Sequence, residues 1–160
     1  MFSYIKDILT AFEKADLKRK GAKSSAAPNT IFVVKEDCKK LDQGKVLEFQ
    51  NLVAKNFYAT KRVIIDTCTA ISFLTKRVKD TDKDDWDKLV HLMRYIRGTS
   101  NILMTLSAKG SRILKWWAYA SFAFHPNMQG HSGGCLYLGC AFPTVSSTKQ
   151  NLNTNISTGT

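Results

Sequence analysis

An α+β chain, with a helical segment followed by an incomplete antiparallel sheet, is what three features of the 160-residue sequence predict. Up to Gly98, apolar residues recur at spacings of three and four, the period of a helix face. One of these stretches, residues 81 to 98, also carries both a start and a stop signal. After Gly98 the pattern turns to short β-prone runs separated by turn residues, which read as strands.

Ile5, Ile8, Leu9 and Phe12 share one face of a first short helix. The basic stretch "KADLKRKGAKSSAAPNT" after it reads as a linker ending near Thr30. "IFVV" at 31 to 34 is short and β-prone. A second helix follows Gly44 and Lys45, with Val46, Phe49, Val53 and Phe57 expected on its buried face. A third is expected over Asp66 to Lys79, with Ile71, Leu74 and Val78 inward.

The fourth helix has the fullest set of signals. Thr81 followed by Asp84 fits a capping box. Asp82, Asp84, Asp85 and Asp87 crowd the first turn, where the helix dipole favours negative charge, and this explains them more cheaply than a metal cluster does. Trp86, Leu89, Val90, Met93 and Ile96 form the apolar stripe. Arg94 and Arg97 sit in the last turn, with Gly98 as the expected C-cap. Beyond it, "ILMTL" (102 to 106) and "ILKWWAYASFAF" (113 to 124) flank "SAKGS", a plausible hairpin turn. "HPNMQGHSGG" reads as a loop, "CLYLG" (135 to 139) and "FPTVSS" (142 to 147) as strands, and "TKQNLNTNISTGT" as a fraying tail. A small sheet without a covering helix is only marginally stable.

The chain carries +11 net charge, which favours an anionic partner, nucleic acid before an acidic membrane surface. The charge is uneven. Residues 1 to 100 hold 20 basic and all 13 acidic residues, whereas residues 101 to 160 hold four basic residues and no acid. Asp87 is the last carboxylate side chain. The start "MFSYIKDILTAF" places Lys6 and Asp7 where a secretory h-region should run, and "WWAYASFAF" is too short to span a bilayer. An intracellular location, cytoplasmic or nuclear, is therefore expected. Cys38, Cys68, Cys135 and Cys140 then read as thiols rather than disulfides.

Five stretches together resemble the copia-type retrotransposon polyprotein, a transposable-element product, in the part just after the polymerase active site. They are "FVVKEDCKKLD", "LVAKNFYATKR", "AISFLTKRVKDTDKDDWDKLVHLMRYIRGT", "LKWWAYASFAFHPNMQGHSGG" and "SSTKQNLNTNIST". The resemblance covers nearly the whole chain, most securely residues 31 to 158. It implies three parts: an N-terminal helix and basic linker over 1 to 30, a helical reverse transcriptase C-terminal region, thumb- or connection-like, over 31 to 100, and a truncated RNase H-like domain over 101 to 160. The parent activity would be RNA-directed DNA polymerisation with cleavage of RNA–DNA hybrids. The family's "Y-x-D-D"-like polymerase box does not occur in these residues.

RNase H chemistry needs carboxylates that hold two Mg²⁺ ions. The family's first strand usually reads "W-W-V-D-A-S", and here it reads "WWAYAS", so Tyr119 stands where the first metal-binding Asp would be. A phenol with a reference pKa of about 10 is neutral at pH 7 and a poor Mg²⁺ ligand. The family's "S-S-T-E-A-E" is here "ISTGT", which puts Gly159 in the place of the first Glu. At "KRVIID", where the family tends to read "K-R-A-R-P-D", Ile64 and Ile65 replace an Arg and a Pro. The resemblance thus implies a fragment that is not an enzyme, has no metal site, and lacks the Mg²⁺ cofactor of the intact family.

The residual property expected is weak, sequence-independent binding of an RNA–DNA hybrid or DNA, with no membrane or small-molecule partner. Lys55, Lys61, Arg62, Lys76, Arg77, Lys79, Arg94 and Arg97 are the candidate phosphate contacts. Trp116, Trp117 and Phe122 could stack on bases if exposed. Because Trp116 and Trp117 alternate across a strand, at least one is expected in the core. His125, His131, Cys135 and Cys140 have residue types that suit Zn²⁺, but their spacing matches no standard finger. The alternative for the two cysteines is burial as small apolar residues on the sheet.

Overall fold

A computed structural model describes residues 2–15, 25–28, 30–102, 113–125, 127–139 and 141–151. The chain is α+β. Among the described residues four α-helices, α1 (Phe2–Ala15), α2 (Gln43–Thr60), α3 (Cys68–Arg77) and α4 (Lys83–Thr99), precede three strands, β1 (Leu114–Ser121), β2 (His131–Leu138) and β3 (Ala141–Lys149). It divides into two compact units, Met1–Ile102 and Leu103–Thr160. The stretch expected as a strand at 102 to 106 lies outside the described residues apart from Ile102, as do most of the basic linker, Cys140 and Gly159.

The first unit is held by one apolar core. Ile5, Ile8 and Phe12 of α1 join Phe49, Leu52 and Val53 of α2, Ile71 and Leu74 of α3, and Trp86, Leu89, Leu92, Met93 and Ile96 of α4. All five residues of the expected α4 stripe are buried. On α2 the expected face is corrected: Phe49 and Val53 are buried, Val46 is half-buried and Phe57 is exposed. Residues four apart drift about 40° per step on a helix of 3.6 residues per turn. By Phe57 that drift has carried the side chain off the core, and Asn56, Ala59 and Thr60 are buried instead. On α3 both Ile71 and Leu74 are fully buried, while Val78, just past its end, is half-buried.

"IFVV" forms a turn, not a strand. The Ile31 and Val33 amides donate to the Pro28 and Thr30 carbonyls at 2.9 and 3.0 Å, so the segment's backbone is satisfied locally. Ile31 and Phe32 still bury their side chains, Phe32 edge-on to Phe73 at 5.8 Å.

The α4 start has the expected chemistry one residue later. Asp82 is the N-cap and Asp85 completes the capping box. The Thr81 hydroxyl is already engaged, donating to the Arg77 carbonyl at 2.9 Å as α3 ends. At the other end α4 runs through Gly98 to Thr99. Gly98 is not a left-handed cap, because the Thr99 and Ser100 hydroxyls donate to the Tyr95 and Arg97 carbonyls and satisfy the terminal acceptors otherwise.

Tyr95 on α4 donates its hydroxyl to Asp66 Oδ2. That hydrogen bond, reinforced by burial, holds the phenol protonated and pushes its pKa from 10 up to about 12. The folded value lies above the unfolded one, so this contribution is complete below about pH 10 and lost as pH rises to about 12. Denaturant titrations across that window should show the stability gap between the native chain and Tyr95→Phe closing. A gap that stays constant would rule the linkage out.

In the second unit β1, β2 and β3 form an open antiparallel meander in that order. Trp117 pairs with Cys135, Tyr119 with Gly133 and Ser121 with His131. Gly133 in turn pairs with Ser147, and His131 with Lys149. "HSGG" thus belongs to β2 and not to a loop. The strand needs glycine at 134, where an added Cβ would lie 2.8 Å from the Trp116 ring and 2.9 Å from Ser146 Oγ. Both tryptophans are exposed, Trp116 at 57% and Trp117 at 66%, against the expectation that one is core. A strand sends alternate side chains to opposite faces, and β1 is exposed on both from Leu114 to Tyr119.

The described cysteines Cys38, Cys68 and Cys135 are free thiols. Cys135 is half-buried, not fully buried as a core residue would be. No helix among the described residues is long and apolar enough to cross a membrane.

Candidate nucleic-acid interface

The eight candidate phosphate contacts all lie in the first unit, but the fold divides them. Lys55 is exposed on α2, and Lys61 and Arg62 are exposed just past its end. The Arg62 guanidinium stacks on the Tyr58 ring at 3.8 Å, and Lys61 Nζ lies 5.6 Å from the Phe57 ring centre. Each is an i, i+4 pair that the helical period brings onto one side. Tyr4 of α1 meets Tyr58 edge-on at 5.2 Å. Two cations therefore fold back over two aromatic rings at this end of α2.

Lys76 and Lys79 are exposed at the end of α3. Between α2 and α3 runs a groove of about 410 Å³, lined by Gln50, Val53, Ala54, Phe57, Thr75 and Val78. Lys61 sits over one of its walls through Phe57, and Lys76 and Lys79 follow Thr75 and Val78 in the chain. Lys61 is thus the cation placed at the groove by a contact with its lining. Exposed cations attract phosphates, and exposed rings beside them offer stacking platforms.

Two of the eight are ion-paired within the unit, and a third is half-buried. Arg77 reaches Asp85 with Nε, at 2.9 and 3.1 Å to the two carboxylate oxygens, and Asp82 with Nη2 at 3.0 Å. Its side chain is only 17% exposed. Attraction from Asp85 and Asp82 outweighs burial and holds its proton more tightly than usual. Arg97 pairs with Glu13 at 2.9 Å, and Arg94 is half-buried.

The aspartates at the α4 start are each tied to a cation. Asp84 lies 2.7 Å from Lys35 and 2.8 Å from Lys88. Burial pushes its carboxyl up, but the two lysine hydrogen bonds win and hold it below the usual range. Asp87 pairs with Lys83 at 3.4 Å. These carboxylates form the helix start and its ion pairs.

In the second unit Tyr119 is exposed at 73% in the middle of β1. Its neighbour across β2 is Gly133, and no carboxylate side chain occurs anywhere in residues 88 to 160. Of the zinc-type residues, His125 and His131 come together at 3.0 Å. Cys135 stands four residues further along β2, about 13 Å away at 3.3 Å per residue. Among the described residues no three His, Cys, Asp or Glu side chains converge.

No family model, curated protein or solved structure matches this chain. Functional assignment therefore rests on its own residues. Sequence reasoning missed Tyr4, Phe57 and Tyr58 as part of the basic surface. The signal was present in the four-residue spacing of Phe57 to Lys61 and of Tyr58 to Arg62.

Proposed function

We propose that this chain derives from a copia-type retrotransposon polyprotein, carries no polymerase or nuclease chemistry of its own, and binds nucleic acid weakly and without sequence preference. One observation carries the reading. Tyr119 occupies the β1 position where the family's RNase H strand has a metal-binding Asp, within a stretch from 88 to 160 that has no carboxylate at all. Two-metal hydrolysis has nothing to hold its ions there.

Two further features support it. Helices precede an antiparallel meander, the order expected for a thumb- or connection-like segment followed by the opening strands of an RNase H-like sheet. The first unit exposes Lys61, Lys76 and Lys79, with Lys61 over the exposed Phe57 ring at the groove between α2 and α3. Phosphate contacts of this kind position a duplex without reading its bases. RNA–DNA hybrid and DNA should therefore bind alike.

The test is cleavage of a labelled RNA–DNA hybrid by the purified chain in Mg²⁺ or Mn²⁺, beside a Tyr119→Asp, Gly159→Glu version. The native chain is expected to bind the hybrid at low salt and to leave it intact. Activity that copurifies with the native chain would overturn the reading and require another metal site. Cleavage gained only by the double variant would identify these two positions as lost ligands.

A further inference from the structure

We propose that His125 and His131 form a two-imidazole site for a divalent transition-metal ion of the kind imidazole ligates, such as Ni²⁺, Cu²⁺ or Zn²⁺. His125 lies in the turn after β1 and His131 opens β2. His125 Nε2 stands 3.0 Å from His131 Nδ1, with the ring planes inclined at 44°. Phe124 packs against both rings, at 6.2 and 6.3 Å between centres.

The two ring nitrogens are close enough to share one ion. At 3.0 Å apart, and each about 2.0–2.1 Å from a metal, they need only a small ring rotation to turn from each other toward it. Water fills the remaining positions.

The surrounding chain holds the two rings in this arrangement. His131 Nε2 lies 2.7 Å from Ser147 Oγ on β3. When Nε2–H donates to that oxygen the lone pair is on Nδ1, the tautomer a metal at Nδ1 requires, and Ser147 then acts as an outer-shell partner. The turn carrying His125 contains two non-glycine residues at positive φ, Ala123 at 51° and Met128 at 62°, an unfavourable conformation for a residue with a Cβ. It persists because the turn is tied down. The His125 amide donates to the Gln129 carbonyl at 3.1 Å and the Met128 amide to the His125 carbonyl at 2.8 Å. The Gln129 side chain donates to the Asn151 carbonyl at 3.1 Å. On binding, the ion replaces the imidazole–imidazole hydrogen bond. The proton of His125 is then on Nδ1, and both rings are neutral.

The test is Ni²⁺ binding to the untagged full chain with its thiols alkylated. One ion per chain is expected. His125→Ala and His131→Ala should each weaken binding at least about tenfold, and Ser147→Ala about tenfold. His91→Ala should change nothing, because His91 bonds the Ser25 carbonyl in the first unit. A readout on the unmutated chain removes dependence on how the variants fold: Ni²⁺ should protect His125 and His131, but not His91, from carbethoxylation, as followed by mass spectrometry. Binding that survives His125→Ala, or protection of all three histidines alike, would overturn the proposal.

Discussion

Arg77→Leu is expected to destabilise the first unit by about 3–5 kcal/mol, the cost of removing one partner from a buried ion pair. Arg77 is the shared counter-ion of two buried carboxylates, Asp82 and Asp85, which are 3% and 1% exposed. Burial already pushes the Asp85 carboxyl up, and the Arg77 charge is one of the influences holding it down. Those same carboxylates cap α4, so the loss reaches the best-packed helix of the unit. A loss of this size is a large share of the total stability of a small domain. Urea denaturation followed by helical circular dichroism should show a lower midpoint with little change in slope. A loss under about 1 kcal/mol would mean that the cluster behaves like a solvent-exposed bridge. Adding Asp82→Asn and Asp85→Asn to Arg77→Leu should recover part of the stability, because the stranded charges are then gone.

Duplex binding by the first unit is expected to fall about 500-fold between 50 and 200 mM salt. This follows if Lys55, Lys61, Arg62, Lys76 and Lys79 each neutralise one phosphate, giving a slope of log K against log salt of about −4.5. Replacing Lys61, Lys76 and Lys79 by alanine should bring that slope to about −1.8 and the fall to about twelvefold. Arg77 and Arg97 are left out of the count because both are ion-paired within the fold. Fluorescence anisotropy with labelled duplexes of two unrelated sequences measures slope and sequence preference together. An unchanged slope in the triple variant would remove the groove from the interface. A strong preference between the two duplexes would point to direct reading of bases, which phosphate contacts cannot supply.

Much of the helical unit was legible because its signals are local. The stripe Trp86, Leu89, Val90, Met93, Ile96 and the acidic first turn of α4 depend only on period and on the polarity of a helix end. All five stripe residues are buried as read. The capping box was misplaced by one residue because Thr81 and Asp82 are both good caps in isolation. What separated them was the Arg77 carbonyl, which the end of α3 places within reach of the Thr81 hydroxyl. Phe57 was misassigned because an i, i+4 series and the true face of α2 diverge only after two turns.

The sheet was legible in kind but not in burial. "WWAYAS" and "CLYLG" read as strands on composition alone, yet "HSGG" was taken for a loop because glycine usually breaks a strand. Its place in β2 depends on the Trp116 ring lying over Gly134, a cross-strand contact that no single segment encodes. The pairing of His125 with His131 is of the same kind: the two are six residues apart across a strained turn, and only the closing of that turn brings them within 3.0 Å.

By itself, then, the sequence determined that a helical segment precedes a strand-rich one, the inward face of α4, the positive charge of the chain and the absence of any carboxylate side chain after Asp87. These follow from periodicity and composition, which are written along one segment at a time. Only the tertiary structure decided which cations remain at the surface. Lys61, Lys76 and Lys79 stay exposed, while Arg77, one residue from Lys76, turns inward to Asp82 and Asp85. The physical reason is that a side chain's solvation depends on what other segments bring beside it, and burying a charge is tolerable only where the fold supplies its partner.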